Sequence, residues 1–138
     1  RGEVIGKKKE AFFDKVLLDA PCSGEGRFLA TDAKTYRSWS EKTVNELAKL
    51  QRKLLKSAWQ ALKEGGKMVY STCTLNKKEN EEVLEWAIGE LGIKIEEIPL
   101  EIKNAIPAIS EKKEVTKAIR ILPSKETEGF FIAKLRKV

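Results

Sequence analysis

Two cysteines carry most of the chemistry this chain can offer. Cys22 lies in F-D-K-V-L-L-D-A-P-C-S-G-E-G (13–26), Cys73 lies in Y-S-T-C-T-L (70–75), and the sequence has no histidine. A thiolate is a strong nucleophile when its pKa is lowered. Two cysteines so far apart make neither a disulfide framework nor a C-x-x-C motif. They also fall short of the four Cys/His ligands of a structural zinc site. Without histidine, Ser–His and Cys–His pairs are excluded. Ser23 does not make a hydrolase either, because it sits in C-S-G rather than G-x-S-x-G. What remains is a thiol pair, with Asp19 three residues before Cys22. The plainer alternatives are that each cysteine is a small buried hydrophobe and that Asp19 is a strand-end cap.

The elements that must position these residues are readable from periodicity. F-F-D-K-V-L-L-D-A (12–20) predicts a strand, with Val16, Leu17 and Leu18 in the unbroken apolar run of a strand covered on both faces. Pro21 ends it, and P-C-S-G-E-G-R-F is a loop. Residues 43–64 predict a helix: Thr43 and Glu46 form a capping box, Val44, Leu47, Leu50, Leu54, Leu55, Ala58 and Leu62 recur at helical spacing, and Gly65–Gly66 stop it. K-M-V-Y-S-T-C (67–73) is a second strand. A second helix starts from Asn76 as N-cap, with Glu79 three residues on, and runs to about Leu91 and Gly92. I-K-I-E-E-I (93–98), A-I-R-I-L (118–122) and G-F-F-I-A-K-L-R-K-V (129–138) are further strands. Residues 99–117 read as a long loop with one helical turn.

The order β-loop-α-β-α-β argues for a parallel sheet with crossover helices. Ligands of such sheets bind beyond the carboxyl ends of the strands. Asp19 and Cys22 follow the first strand and Cys73 ends the second, so neighbouring strands, roughly 4.8 Å apart, bring both sulfurs to one crevice. The second helix's dipole, with Lys77 and Lys78, favours a thiolate at Cys73.

Size and charge fit a single region. The 138 residues carry a net charge of +6, which permits a polyanionic partner. Residues 42–67 hold Lys42, Lys49, Arg52, Lys53, Lys56, Lys63 and Lys67 against Glu46 and Glu64; the run is either a solvated helix face or a phosphate-binding surface. No apolar run has the roughly 20 residues of a membrane span. Residues 1–10 lack the apolar core of a signal peptide, so a cytoplasmic setting is expected. Arg1 in place of an initiator Met reads as a fragment or processed product.

F-D-K-V-L-L-D-A-P-C-S-G-E-G together with G-G-K-M-V-Y-S-T-C-T-L-N-K-K-E-N-E-E-V-L resembles the paired signature of the Sun/Fmu-type RNA cytosine-5 methyltransferases. A-I-R-I-L-P-S-K-E-T-E-G-F-F-I-A-K-L-R-K-V is similar to that family's C-terminal segment. The resemblance spans residues 12–138. It implies half of a Rossmann-like class I methyltransferase sheet with an antiparallel C-terminal strand, S-adenosylmethionine as cofactor, and ribosomal or transfer RNA as partner. It implies further that Cys73 is the nucleophile adding to cytosine C6, that Cys22 assists resolution of the covalent intermediate, and that Asp19 binds the cytosine edge and borders the cofactor's methionine end. Arg27, Tyr36, Arg37 and Trp39 follow the first motif and are candidates to line an RNA channel, with packing the expected role of Tyr36 and Trp39.

The family's glycine-rich cofactor loop and ribose-binding acid have no counterpart ahead of Asp19. The chain is therefore expected to be the C-terminal half of a methyltransferase domain, binding cofactor poorly alone. The first strand's free edge calls for a preceding segment or a self-association partner. The competing reading is a non-catalytic, basic RNA-binding or subunit-interaction module on the same fold.

Overall fold

The structure, a computed structural model, describes residues 11–138. Among the described residues six strands form one sheet: β1 (Phe13–Asp19), β2 (Leu62–Thr72), β3 (Lys94–Glu96), β4 (Ala105–Pro107), β5 (Ile119–Ile121) and β6 (Phe130–Arg136). Two helices, α1 (Glu41–Ala61) and α2 (Glu81–Leu91), connect β1 to β2 and β2 to β3. The strand order is β1-β2-β6-β5-β4, and β3 pairs with β6 beside β5.

Only β1 and β2 pair in parallel; β6 is antiparallel to β2, β3 and β5, and β4 is antiparallel to β5. The half Rossmann-like sheet with crossover helices and an antiparallel C-terminal strand is thus present; the place of that strand was not legible in the sequence. β1, β2 and β3 do run in one direction, as crossover helices require, but β6 is inserted between β2 and β3. One edge of β6 serves two strands: Lys134–Arg136 pair with β3 and Phe130–Ile132 with β5.

The helix starts earlier than the Thr43 capping box predicts. Ser40 is the N-cap, its Oγ accepting the Thr43 N–H at 3.1 Å, which satisfies an orphan donor of the first turn. Helical geometry ends at Ala61, before the glycines. Residues 62–66 form an irregular entry to β2, with Phe13 opposite Leu62 but Lys15 opposite Lys67. Gly65, at φ +75, permits that kink. The second helix starts later than Asn76, after a turn over 77–80, and ends at Gly92 in the left-handed conformation. β4 lies in the stretch read as loop; Pro107 sits in this three-residue edge strand, where a missing N–H is tolerated.

The core lies between the sheet and the two helices. Met68, Tyr70, Phe131 and Leu135 from β2 and β6 meet Leu55, Trp59, Val83 and Leu84, all buried. β1 is covered on one face only. Val16 and Leu18 are half-buried, whereas Leu17 is 71% exposed. The two-sided burial predicted for this strand is not met within residues 11–138. Among the described residues β1 pairs with β2 alone. Phe13, Val16 and Leu18 line an apolar groove of about 330 Å³ with Leu54, Ala58 and Ala61.

Candidate functional site

The parallel register sets the site. Asp19 lies opposite Ser71, and the ladder continues one step further through Ala20 N–H to Ser71 O at 2.9 Å. Both chains then leave the sheet on the same side. Cys22 and Cys73, each free and half-buried, meet with their sulfurs 3.1 Å apart. They face a cavity of about 420 Å³ that Arg27, Leu29, Thr35 and Glu128 also line.

Burial, followed by the hydrogen bond with Cys73, pushes the Cys22 thiol from 9.0 up to about 12. Cys22 therefore keeps its proton at neutral pH, and either sulfur can donate in the S–H···S contact. The helix expected directly after Cys73 begins at Glu81, beyond an intervening turn. Lys78 reaches away from the thiols to Glu41 and Asn45 on α1, 3.2 Å from each. Lys77 is exposed. Asp19 is exposed at the mouth of the strand ends, with Oδ1 accepting from Ser71 Oγ at 3.0 Å. The three predicted site residues thus converge on one end of the β1–β2 pair.

The loop after Cys22 is fixed by close backbone approach. Gly26 N–H donates to Cys73 O at 2.9 Å, and Gly129 N–H donates to Gly26 O at 2.7 Å. A Cβ on Gly26 would lie 2.1 Å from Gly129 O and 2.8 Å from Cys73 O. Glu25 accepts from Asn76 Nδ2 at 2.8 Å and from the Trp39 indole at 3.0 Å. Asn76, read as a helix cap, thus ties the two thiol loops together. Tyr36 and Trp39 are both partly exposed, 40% and 43%, and Tyr36 packs against Phe28.

Sequence reasoning missed the buried polar layer under the loops. Glu79, read with Asn76 as part of a helix start, is fully buried, and so is Glu81. Glu81 pairs with Arg120 through both carboxylate oxygens, and Arg120 also donates to Leu75 O at 2.8 Å. Asn80 joins Thr72 Oγ1 to the Thr74 carbonyl. The available signal was an E-N-E run three residues after the second thiol motif, where helix capping does not need three such residues.

A crossover sheet that places an antiparallel last strand against its second parallel strand, with the site beyond the strand ends, belongs to the Rossmann-like methyltransferase class. Its family is equally defined: the chain belongs to the family described as 16S rRNA methyltransferase RsmB/F, which matches residues 2–136. It is 41% identical over 138 residues to a ribosomal RNA small subunit methyltransferase F of Salmonella agona, covering 99% of this chain and 28% of that protein. It is 42% identical over 134 residues to a tRNA (cytosine(49)-C(5))-methyltransferase of Pyrococcus abyssi, covering 93% of this chain and 43% of that protein. Among solved structures, a methyltransferase homolog from Pyrococcus horikoshii superposes with a TM-score of 0.81 at 34% identity, over 99% of this chain and 43% of the other. NSun6 from the same organism, with SFG, gives 0.80 at 35% identity, over 100% and 33%. The chain thus spans well under half the length of these relatives.

Proposed function

We propose that the chain is the C-terminal part of the catalytic domain of an S-adenosylmethionine-dependent RNA cytosine-C5 methyltransferase acting on ribosomal or transfer RNA. The observation that carries this reading is the meeting of Cys22 and Cys73, 3.1 Å apart at the ends of adjacent parallel strands. Two nucleophile-type side chains facing one open cavity suit a covalent addition followed by release.

Cytosine C5 is a poor nucleophile until a group adds to C6. Cys73, as thiolate, forms the S–C6 bond and places the electron pair of the C5=C6 bond on C5. Cys22 retains its proton and can offer its S–H as a hydrogen bond to the Cys73 sulfur before attack. Once C5 is methylated, its proton passes to water, the C–H electron pair re-forms the C5=C6 bond, and the S–C6 pair leaves with Cys73; Cys22, which keeps its proton, assists by offering its S–H as a hydrogen bond to the departing sulfur. Asp19 holds the cytosine edge. S-adenosylmethionine supplies the methyl group when bound.

The described residues fit one wall of a cofactor site. The exposed Asp19 carboxylate has one oxygen committed to Ser71, and its position at the open end of β1 suits the cofactor's methionine end. The opposite wall, the free edge of β1 and the apolar groove over Leu54 and Ala58 are covered by the polypeptide that precedes β1 in the longer protein. The exposed face of α1 contacts RNA phosphates.

The test uses RNA containing 5-fluorocytosine, whose fluorine blocks proton loss from C5 and preserves the adduct. The chain with its upstream region should give a denaturation-resistant RNA complex that Cys73→Ala abolishes and Cys22→Ala retains. A complex lost only in Cys22→Ala reverses the two roles. Calorimetry should show S-adenosylmethionine binding to the longer protein and little to residues 1–138 alone; tight binding to the short chain sinks the partial-domain reading.

A further inference from the structure

We infer that Glu79 is a positioning residue, whose single buried carboxylate sets the separation of the two thiols by holding the residue that follows each of them. Glu79 is fully buried. Its Oε1 accepts from Ser23 N–H at 2.9 Å and from Gln51 Nε2 at 3.0 Å. Its Oε2 accepts from Ser23 Oγ at 2.6 Å and from Thr74 Oγ1 at 3.1 Å. Ser23 follows Cys22 and Thr74 follows Cys73, so both thiol loops converge on one group.

Two further contacts stiffen the clamp. The Gln51 amide also donates to Pro21 O at 2.9 Å, holding the residue before Cys22. Tyr70 Oη donates to the Glu79 backbone carbonyl at 2.8 Å, anchoring the carboxylate's own backbone to β2. Among the described residues no Lys or Arg forms an ion pair with Glu79. A buried carboxylate is then compensated only by these donors, and charge-assisted bonds of this kind are the strong ones. Either loop can drift only by giving up such a bond.

Reach and charge make different predictions. Gln keeps the length: its oxygen can still accept from Ser23 N–H and Gln51, while its NH₂ meets two hydroxyls able to turn and accept. Asp keeps the charge but is one methylene shorter, so it cannot hold both loops. A clamp that works by reach is rescued by Gln better than by Asp.

The geometric claim stands without the proposed reaction; its catalytic consequence depends on the methyltransferase reading. In the intact protein carrying this chain, iodoacetamide modification of Cys22 is followed against pH by peptide-resolved mass spectrometry, on variants shown folded by circular dichroism. Freed of the clamp, Cys22 gains solvent, and each unit fall in its pKa raises the thiolate fraction about tenfold. Glu79→Asp and Glu79→Ala should therefore be modified about tenfold faster near neutral pH, with Glu79→Gln close to the parent. Under the methyltransferase reading, kcat should fall about tenfold to a hundredfold in Asp and Ala, with KM for S-adenosylmethionine little changed. If Glu79→Ala does not fold, Glu79→Asp carries the comparison. A Cys22 profile in Glu79→Asp that superimposes on the parent overturns the inference. A parent that transfers no methyl group sinks the function reading and leaves the alkylation profile to decide the clamp.

Discussion

Gly26→Ala tests the tight joint between the first thiol loop and β6. The new methyl would meet Gly129 O at 2.1 Å, Gly129 C at 2.6 Å and Cys73 O at 2.8 Å, all backbone atoms that cannot swing aside. Relief requires the loops to separate, which strains the Gly26–Cys73 and Gly129–Gly26 hydrogen bonds. Overpacking costs about 1–3 kcal/mol and each of the two weakened bonds about 0.5–1.5 kcal/mol, so the total is about 2–6 kcal/mol. For a domain of this size that lowers Tm on the order of 10 °C. Gly24 in the same loop is the internal control: its φ is +74 and its added Cβ meets nothing within 4 Å, so Gly24→Ala costs only the left-handed strain, about 1 kcal/mol. Thermal melts of the intact protein and its two variants give the comparison, with 5-fluorocytosine trapping as second readout, since separated loops move Cys22 from Cys73. A Gly26→Ala protein that melts with the parent, or one no worse than Gly24→Ala, refutes the close approach.

Three further outcomes follow from other features. Arg120→Met strands the buried Glu81 carboxylate and should cost about 3–5 kcal/mol in urea denaturation; adding Glu81→Leu should recover part of it. The Cys22 thiol releases its proton near 12 when folded and near 9 when unfolded. Both states are therefore protonated below pH 9, and stability falls between 9 and 12 as the unfolded chain alone ionises. Tyr70, raised chiefly by burial, acts in the same direction; denaturation midpoints of Cys22→Ala should decline less steeply above pH 9. Lys42, Lys49, Lys53 and Lys56 are exposed and share one face of α1. If they contact phosphates, neutralising all four should flatten the slope of log affinity against log salt by up to about 0.7 per lost contact on single-stranded RNA; an unchanged slope places the RNA elsewhere.

The strand ends and their thiols were legible because local rules fix them. An apolar run closed by Pro21 can end in only one place, and both motif loops follow such runs. The insertion of β6 was not legible as a pairing, because the alternation of F-F-I-A-K-L marks a strand without naming its neighbours. Ser40 displaced Thr43 as cap because both residues suit the role and only backbone geometry separates them. β4 was hidden by its length and by Pro107. The buried acids were misread for a physical reason: a carboxylate near a helix start is ordinarily solvated and favours the dipole. Nothing in one sequence shows that Ser23, Thr74 and Gln51 come from three segments to bury Glu79. The uncovered face of β1 is the converse case, since Val16–Leu18 has the composition of a strand enclosed on both sides.

The position of β6 also sets an order of events during synthesis. It comes last of the six strands yet lies in the middle of the sheet, bonded to β2, β3 and β5. Until residues 130–136 have emerged, β2 exposes an open edge and the segment from β3 to β5 has nothing to join. Such long-range closure is slow and leaves pairing surfaces bare. A message truncated before Phe130 would therefore yield two unjoined pieces of sheet rather than a shortened protein, even though both thiol motifs would already have been translated.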